Sequence, residues 1–213
     1  MRTTIERYWR ELQLTMEAMP YAALTQVEDA LLACRARGGT VFIVGNGGSA
    51  ATASHFACDL AKGTQSAGTT PFRVVPLTDN MPLLTAWAND VSYEQVYAQQ
   101  LSTLVRAGDT LVAISASGSS PNILAAARVA HRHHAEVIAL TGATGGKLLR
   151  LADLIVRVPS PCIEQVEDAH LMIAHSLCVA LRERMRLQAA DRVQTPVVGL
   201  LTLEREGDPS VAL

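Results

Sequence analysis

Two short loops rich in small polar residues have the composition of anion-binding sites. The first runs from Gly45 to Ala50 and joins an apolar segment to a helical one. Glycine lets the backbone approach a ligand closely, and a helix N-terminus offers free N–H groups and a positive dipole end. The spacing matches neither the dinucleotide-binding GxGxxG pattern nor a Walker loop, which needs a lysine after its glycines. From its residues alone, this loop is equally typical of a tight turn and of ligand binding.

The second loop runs from Ser115 to Asn122 and contains four serines. Hydroxyls and backbone amides at a helix N-terminus form a neutral cradle for a phosphate monoester. The alternative is an ordinary loop in which Ser120 caps the next helix and Pro121 takes the first helical position. We favour phosphate binding, because several small polar residues follow directly after an apolar segment with the character of a strand.

Histidines and carboxylates form the third group of residues that could carry chemistry. His55 and Asp59 are four residues apart, so they share one face of a helix and could bind one metal or exchange a proton. An exposed salt bridge is the commoner outcome for such a pair alone. Glu167 and His175 lie on a later helix, about 80° apart around its axis. The apolar neighbours of His175 are typical of a core histidine, so its function depends on whether it faces His55 and Asp59.

Five short apolar segments rich in β-branched residues must position these loops and helices. Because helical segments separate them, they predict a three-layer α/β fold with a five-stranded parallel sheet. Ligands bind such a sheet beyond the carboxyl ends of its strands, where both polar loops begin. We expect one domain over residues 1–190, including two N-terminal helices within 4–36, a last helix at 163–188 and a tail at 191–213. The predicted strands are 40–44, 72–77, 110–115, 136–141 and 153–158.

Composition excludes several classes of protein. Of the 213 residues, 49% are hydrophobic and 18% are charged, which argues against disorder, and the net charge of −2 argues against a general basic nucleic-acid binder. No apolar run is long enough to span a membrane, and the N-terminus lacks the apolar core of a signal peptide. We therefore expect a cytoplasmic protein without nucleic-acid or membrane partners. The cysteines form no CxxC pair and are predicted to be buried free thiols; they are Cys34, Cys58, Cys162 and Cys178.

Taken together, the motifs of residues 5–186 resemble the SIS (sugar isomerase) domain and, within it, the phosphoheptose isomerase family. Six motifs in order and at matching spacing make this resemblance specific. They are GNGGSA at 45–50, HFACDL at 55–60, AND at 88–90, ISASGSS at 114–120, ALTG with GGK between 139 and 147, and EDAH at 167–170 followed by His175.

The resemblance implies an activity, a fold and an assembly. Family members convert sedoheptulose 7-phosphate to D-glycero-D-manno-heptose 7-phosphate through an enediol, and they are cytoplasmic homotetramers with zinc at the active site. The implied fold is a flavodoxin-like αβα sandwich whose N-terminal helices pack in the oligomer. An apolar stripe with Trp9, Leu12 and Met16 on the first helix independently indicates burial against another subunit.

The resemblance also assigns roles to individual residues. Asp59 matches the family's catalytic base and His175 its general acid. The implied phosphate-binding residues are Ser115, Ser117 and Ser120; the other substrate-binding residues are Asn46, Gly47, Gly48, Ser49, Asn89, Asp90, Ala116 and Glu167; the implied zinc ligands are His55, Asp59, Glu167 and His175.

Three positions depart from the family pattern and keep alternatives open. Asp59 replaces a glutamate, Glu167 replaces a glutamine and Ala116 replaces a threonine. The shorter carboxylate of Asp59 leaves a sugar-phosphate sensor without turnover as one alternative. A non-catalytic regulator of the kind that binds the bacterial replication initiator is the other. That regulator lacks the histidine matching His175, so the presence of His55 and His175 here favours the enzyme.

Overall fold

The computed structural model describes residues 3–194, and its centre is a five-stranded sheet in which every neighbouring pair of strands is parallel. The predicted α/β class, the five strands and the parallel sheet are confirmed, with strand ends shifted by one residue or none. The strands are β1 (Thr40–Val44), β2 (Arg73–Pro76), β3 (Thr110–Ser115), β4 (Glu136–Gly142) and β5 (Leu154–Val158).

The strand order is β2-β1-β3-β4-β5, which is the flavodoxin-like order. The chain leaves β1 toward one edge and returns to place β3 on the other side of β1. This reversal creates a crevice at the carboxyl ends of β1 and β3. Both polar loops predicted to bind an anion follow these two strands, so the topology brings them together.

The sequences of the strands are almost entirely apolar because helices cover both faces of the sheet. In β1, Val41 and Ile43 pack into the core on one face, whereas Phe42 and Val44 pack into the core on the other. Successive side chains of a strand point to opposite faces, and all four of these residues are almost fully buried. Two covered faces therefore explain the absence of polar–apolar alternation in the sequence.

Within residues 3–194, seven α-helices form the outer layers. Helices α2, α3 and α7 supply the core on one face, while α5 and α6 supply the core on the other, with partly buried residues of α4 beside them. The two predicted N-terminal helices are confirmed and separate at Met19-Pro20. The helices are α1 (Thr4–Glu17), α2 (Tyr21–Ala36), α3 (Gly48–Cys58), α4 (Met81–Asp90), α5 (Val96–Leu104), α6 (Pro121–Arg132) and α7 (Ile163–Gln194).

Polar contacts near the start of α7 hold α1 in place. The Tyr8 hydroxyl donates a hydrogen bond to the Asp168 carboxylate, and this carboxylate raises the pKa of Tyr8 to about 12. The Gln165 side chain donates to Glu11 at 3.2 Å. The α7 residues that contact α1 lie on either side of Glu167 in the sequence. These contacts therefore fix the segment of α7 that carries Glu167.

Two predictions need correction. Helix α7 extends to Gln194 rather than ending at 188, because the added residues contain no glycine or proline and Pro196 is the first breaker. The predicted tail therefore begins inside a helix, and its residues 195–213 lie outside the described residues. All four cysteines are free, but Cys58 is exposed and Cys162 is only partly buried, because each lies at a helix end.

The described residues also bear on the predicted absence of membrane spans. Between residues 3 and 194, no helix combines the length and the apolar character needed to cross a bilayer.

Candidate active site

The loops after β1 and β3 enclose a small cavity of about 160 Å³ at the reversal of strand order. Helix α7 closes its remaining side with Ile163 and Glu167. The cavity lies where the topology of an open parallel sheet predicts a ligand site. Its other lining residues are Asn46, Ser49, Ile114, Ser115, Ala116, Ser117 and Ser120.

Three serine hydroxyls converge on this cavity, as the sequence predicted for a phosphate cradle. The Ser115 Oγ lies 3.5 Å from the Ser117 Oγ and 3.4 Å from the Ser120 Oγ. Ser120 is the N-cap residue of α6, yet its side chain makes no capping hydrogen bond. The three hydroxyls are therefore grouped around one point instead of satisfying the helix, which is the arrangement that an oxyanion needs.

The backbone of the serine loop is held by the segment that follows β4. Leu148 donates its N–H to the Gly118 carbonyl at 2.9 Å, and Gly142 donates to the Ala116 carbonyl at 2.9 Å. Gly118 has φ +61°, and a Cβ there would lie 2.1 Å from the Gly145 carbonyl oxygen. Only glycine fits this close approach. The cradle is therefore shaped by backbone contacts before any ligand arrives.

The Glu167 side chain extends from α7 to the loop after β1. A Cβ on Gly48 would lie 2.7 Å from a carboxylate oxygen of Glu167, so a side chain at position 48 would displace this carboxylate. Gly48 is also the first residue of α3, whose N-terminus carries a positive dipole end. The carboxylate of Glu167 is therefore stabilised beside a helix N-terminus and belongs to the cavity.

Two histidines and one carboxylate meet where the C-terminal end of α3 faces the middle of α7. The Nε2 atoms of His55 and His175 are 2.9 Å apart. The Asp59 carboxylate lies 3.4 Å from the His55 Nε2 and 3.8 Å from the His175 Nε2. The His175 side chain is 50% exposed, so it is not a core histidine. The arrangement confirms that His175 faces the pair formed by His55 and Asp59.

The local backbone changes where this cluster forms. Helix α3 ends at Cys58, and Asp59 begins a π-helical turn that runs to Gly63. Single π turns inside helices are rare and are frequent at functional sites.

The geometry of the cluster fits a divalent metal ion. The three ligand atoms of His55, Asp59 and His175 lie within 4.8 Å of one another. Tetrahedral zinc ligands at about 2.0–2.1 Å from the ion lie about 3.3–3.4 Å from each other, and the observed separations scatter around this value. Nitrogen and oxygen donors suit zinc, and three protein ligands leave one coordination position open, as in catalytic zinc sites.

Other predicted site residues lie apart from this cluster. Glu167 is not a member of the metal-binding group in the described part of the chain, because it lines the serine cavity instead. Asn89 donates a hydrogen bond to Asp90 at 2.8 Å at the exposed end of α4, and neither residue lines the cavity. The predicted roles of Glu167 as a metal ligand and of Asn89 and Asp90 in substrate binding stay predictions.

Sequence reasoning assigned no role to Asn122 or to the tyrosines after α4. Asn122 forms two hydrogen bonds with Asn46, and the Tyr93 hydroxyl donates to the Asn46 Oδ1 at 3.2 Å. The Tyr97 hydroxyl donates to the Gly45 carbonyl. An asparagine directly after a proline at a helix start was a usable signal for Asn122. No local pattern connects Tyr93 to a loop 47 residues away.

Comparison with known proteins identifies relatives of this chain. The family model described as the SIS domain matches residues 6–142. The phosphoheptose isomerase of Rhodospirillum rubrum is 40% identical over 156 residues, which cover 73% of this chain and 82% of that protein.

Solved structures show the same relationship. The phosphoheptose isomerase of Neisseria gonorrhoeae matches with a TM-score of 0.77 and 32% identity, covering 84% of this chain and 97% of that one. The phosphoheptose isomerase of Francisella tularensis matches with a TM-score of 0.78 and 33% identity, covering 84% of this chain and 96% of that one.

Proposed function

Since the chain belongs to the SIS domain family and, within it, to the phosphoheptose isomerases, we propose that it interconverts sedoheptulose 7-phosphate and D-glycero-D-manno-heptose 7-phosphate. The chain is therefore an isomerase, and its substrate is a sugar phosphate with a phosphate at one end and a carbonyl near the other. The observation that carries the proposal is the pairing of a serine cradle with a separate His–Asp–His cluster.

The separation of these two regions suits such a substrate. Helices α3 and α7 each contribute to both regions: Gly48 meets Glu167 at the cavity, and His55 meets His175 at the cluster. Seven residues separate the two α3 positions and eight separate the two α7 positions, which corresponds to roughly 10–12 Å along each helix. A ligand whose phosphate occupies the cradle therefore extends along both helices toward the cluster.

The isomerisation requires two proton movements, and the cluster supplies a group for each. The Asp59 carboxylate removes a proton from C1 of the ketose and returns it to C2 of the enediol. His175 moves the second proton between the oxygens on C2 and C1, so that atoms and charge balance. The two groups lie 3.8 Å apart, within reach of one substrate. The cradle and Asn46 hold the rest of the sugar phosphate in place.

We further propose that His55, Asp59 and His175 hold a zinc ion, each through one ligand atom. The second oxygen of Asp59 and the second ring nitrogen of His175 then remain for proton transfer. Zinc bound there supplies Lewis acidity that polarises the substrate carbonyl. Purified chelator-free protein should contain about one zinc per chain by elemental analysis, and His55→Ala should lower this content. Cys58→Ala is a matched comparison, because it changes the exposed neighbour of Asp59 outside the ligand set and should leave the zinc content unchanged. Equal zinc content in all three proteins would contradict this site.

The proposed assembly is a cytoplasmic homotetramer without nucleic-acid or membrane partners. Large apolar side chains are exposed on two helices: Trp9 is 63% exposed on α1, and Met172 and Val179 are 46% and 53% exposed on α7. Met172 and Val179 flank His175 at helical spacing, so burial of this face against another subunit would also exclude water from the cluster. Light scattering at micromolar concentration should give four times the mass of the chain, and a monomeric mass would contradict the assembly.

The proposed reaction is tested by incubating zinc-loaded protein with sedoheptulose 7-phosphate and following the aldose product by NMR. The wild type should form the aldose, and Asp59→Asn should form it at least about a hundredfold more slowly, the usual scale for a lost proton-transfer group. Binding without conversion in the wild type would instead identify a sugar-phosphate sensor. Neither binding nor conversion would leave the regulator as the better alternative.

A further inference from the structure

Asn122 is a buried polar residue that connects the two loops of the cavity. It is the second residue of α6, one position after Pro121, and only 2% of its surface is exposed. Its side-chain amide forms a reciprocal pair with that of Asn46, which lines the cavity. The Asn46 Nδ2 donates to the Asn122 Oδ1 at 2.9 Å, and the Asn122 Nδ2 donates to the Asn46 Oδ1 at 2.8 Å.

The orientation of both amides is fixed by the groups around them. The Ile123 backbone N–H donates to the Asn122 side chain at 3.0 Å, so the Asn122 oxygen must face this N–H. The Asn122 nitrogen then faces Asn46 as a donor, which requires the Asn46 oxygen opposite. The Tyr93 hydroxyl donates to this same Asn46 oxygen at 3.2 Å. The Ile123 N–H and the Tyr93 hydroxyl therefore agree on one orientation of the pair.

This orientation determines what Asn46 can offer a ligand. Its oxygen already accepts two hydrogen bonds, which fills both lone pairs of an amide oxygen. One of the two N–H groups on the Asn46 nitrogen donates to Asn122. Within residues 3–190, the other N–H group has no protein acceptor. Asn46 therefore presents a hydrogen-bond donor, and not an acceptor, to the cavity that it lines.

Asn122 also frees the hydroxyl of Ser120. An N-cap serine normally accepts a hydrogen bond from the first turn of its helix. Here the Ser120 side chain makes no such bond, and the Asn122 oxygen takes the N–H of Ile123 instead. The Ser120 Oγ is left 3.4 Å from the Ser115 Oγ, inside the serine cradle.

We propose that Asn122 is a positioning residue that makes Asn46 a hydrogen-bond donor toward an oxygen of the bound sugar phosphate. Asn122 does not line the cavity, so it acts on the ligand through Asn46. At the start of α6 it accepts the N–H of Ile123, which Ser120 would otherwise cap. The proposal rests on the proposed isomerase function. It adds that Asn122, which the ligand does not touch, determines whether Asn46 donates or accepts a hydrogen bond at the substrate.

The variant Asn122→Asp tests this role with little change in shape. Aspartate accepts hydrogen bonds but cannot donate, so its oxygens would face the oxygen of Asn46. Because both aspartate oxygens are acceptors, the Asn46 oxygen meets one of them in either orientation of its amide, so the reciprocal pair is lost. The Asn46 amide is then no longer held in one orientation, and it can turn its oxygen toward the cavity in place of an N–H group. We expect kcat/KM for sedoheptulose 7-phosphate to fall about tenfold, as for one lost hydrogen bond.

A double-mutant cycle distinguishes positioning from a general structural effect. In an Asn46→Ala background, Asn122→Asp has no amide to turn, so it should change kcat/KM by less than about twofold. The same loss in both backgrounds, or an unchanged kcat/KM in Asn122→Asp alone, would overturn the proposal. Asn80→Asp is the matched control, because Asn80 caps α4 through Leu83 and aspartate caps equally well. It should retain wild-type kinetics.

Two further measurements keep the test decisive. If Asn122→Asp does not fold, Tyr93→Phe replaces it, because this exposed tyrosine supplies the other donor to the Asn46 oxygen. Tyr93→Phe should lower kcat/KM about threefold with Asn46 present and have no effect in Asn46→Ala. A wild type without turnover contradicts the proposed function alone. The cycle is then measured from the dissociation constant of sedoheptulose 7-phosphate, and absence of binding overturns both proposals.

Discussion

The serine cradle and the His–Asp–His cluster are built in opposite ways. The cradle consists of hydroxyls at the end of β3 and in the loop that follows it, and backbone hydrogen bonds to neighbouring segments hold its shape. The cluster consists of side chains from the C-terminal end of α3 and the middle of α7, and its histidine side chains are both 50% exposed. The hydroxyls of the cradle are neutral groups, while the cluster brings two imidazoles and a carboxylate together.

This difference separates binding from proton transfer. A cradle fixed by backbone contacts binds a phosphate with little reorganisation, because its donors are positioned before the ligand arrives. Groups that move protons must instead titrate and reach the substrate, which requires side chains rather than backbone. Substitutions in the two regions should therefore have different kinetic signatures.

The largest effect is expected in the cluster. His175→Ala should lower kcat by about a hundredfold or more, the usual scale for a lost general acid, and leave the unfolding temperature nearly unchanged because the side chain is half exposed. Steady-state kinetics and thermal unfolding measure the two quantities. His133→Ala removes an equally exposed histidine at the end of α6 and should behave as the wild type. A stability loss with unchanged kcat would show that His175 is structural.

A smaller effect of another kind is expected in the cradle. Ser120→Ala should raise KM about tenfold and change kcat by less than about twofold, because phosphate contacts persist from the bound substrate to the transition state. Ser102→Ala on the exposed side of α5 is the matched control. If Ser120→Ala lowers the unfolding temperature and leaves KM unchanged, the hydroxyl is a helix cap and the cradle is misassigned.

The smallest effect concerns His170, which lies on α7 between the cavity residue Glu167 and the cluster residue His175. Burial lowers the pKa of His170 to about 4, and an interaction with the Thr141 backbone raises it by a smaller amount. Neither ring nitrogen has a hydrogen bond of normal geometry. The unfolded chain binds a proton below about pH 6.5 while the folded chain does not. Stability should therefore fall as the pH decreases from 6.5 toward 4.

Urea unfolding measures this dependence. At pH 5.5 the wild type should lose about 1 kcal/mol of unfolding free energy more than His170→Gln, relative to pH 7.5. His133→Gln should show the wild-type loss, because His133 is exposed in the folded chain. An equal loss in His170→Gln would mean that this histidine binds its proton in the folded state.

The comparison also shows which parts of the site the sequence could predict. The cradle was predictable, because the carboxyl ends of buried parallel strands mark ligand sites and Ser115 ends β3. The pairing of His55 with Asp59 followed from helical spacing. Their meeting with His175 was not predictable from the sequence, because it depends on how α3 packs against α7. The apolar neighbours of His175 also predicted burial, although its own helical face is exposed.

The position of Glu167 also depends on helix packing and was not predictable from the sequence. Its place on the same helix as His175 favoured a fourth metal ligand, and that role stays a prediction. In the structure Glu167 lies about two helical turns from His175 and lines the cavity beside Gly48. Helical spacing fixes which residues share a face, and packing alone decides which of them reach a common point.

Solvent exchange at the substrate tests the central claim, that Asp59 in the cluster moves a proton between C1 and C2 of a sugar phosphate held by the cradle. Zinc-loaded protein is incubated with sedoheptulose 7-phosphate in deuterium oxide, and NMR follows deuterium at C1 of the ketose and C2 of the aldose. We expect the wild type to introduce deuterium at both carbons, and Asp59→Asn to do so at least about a hundredfold more slowly. Exchange and conversion at the wild-type rate in Asp59→Asn would contradict the account.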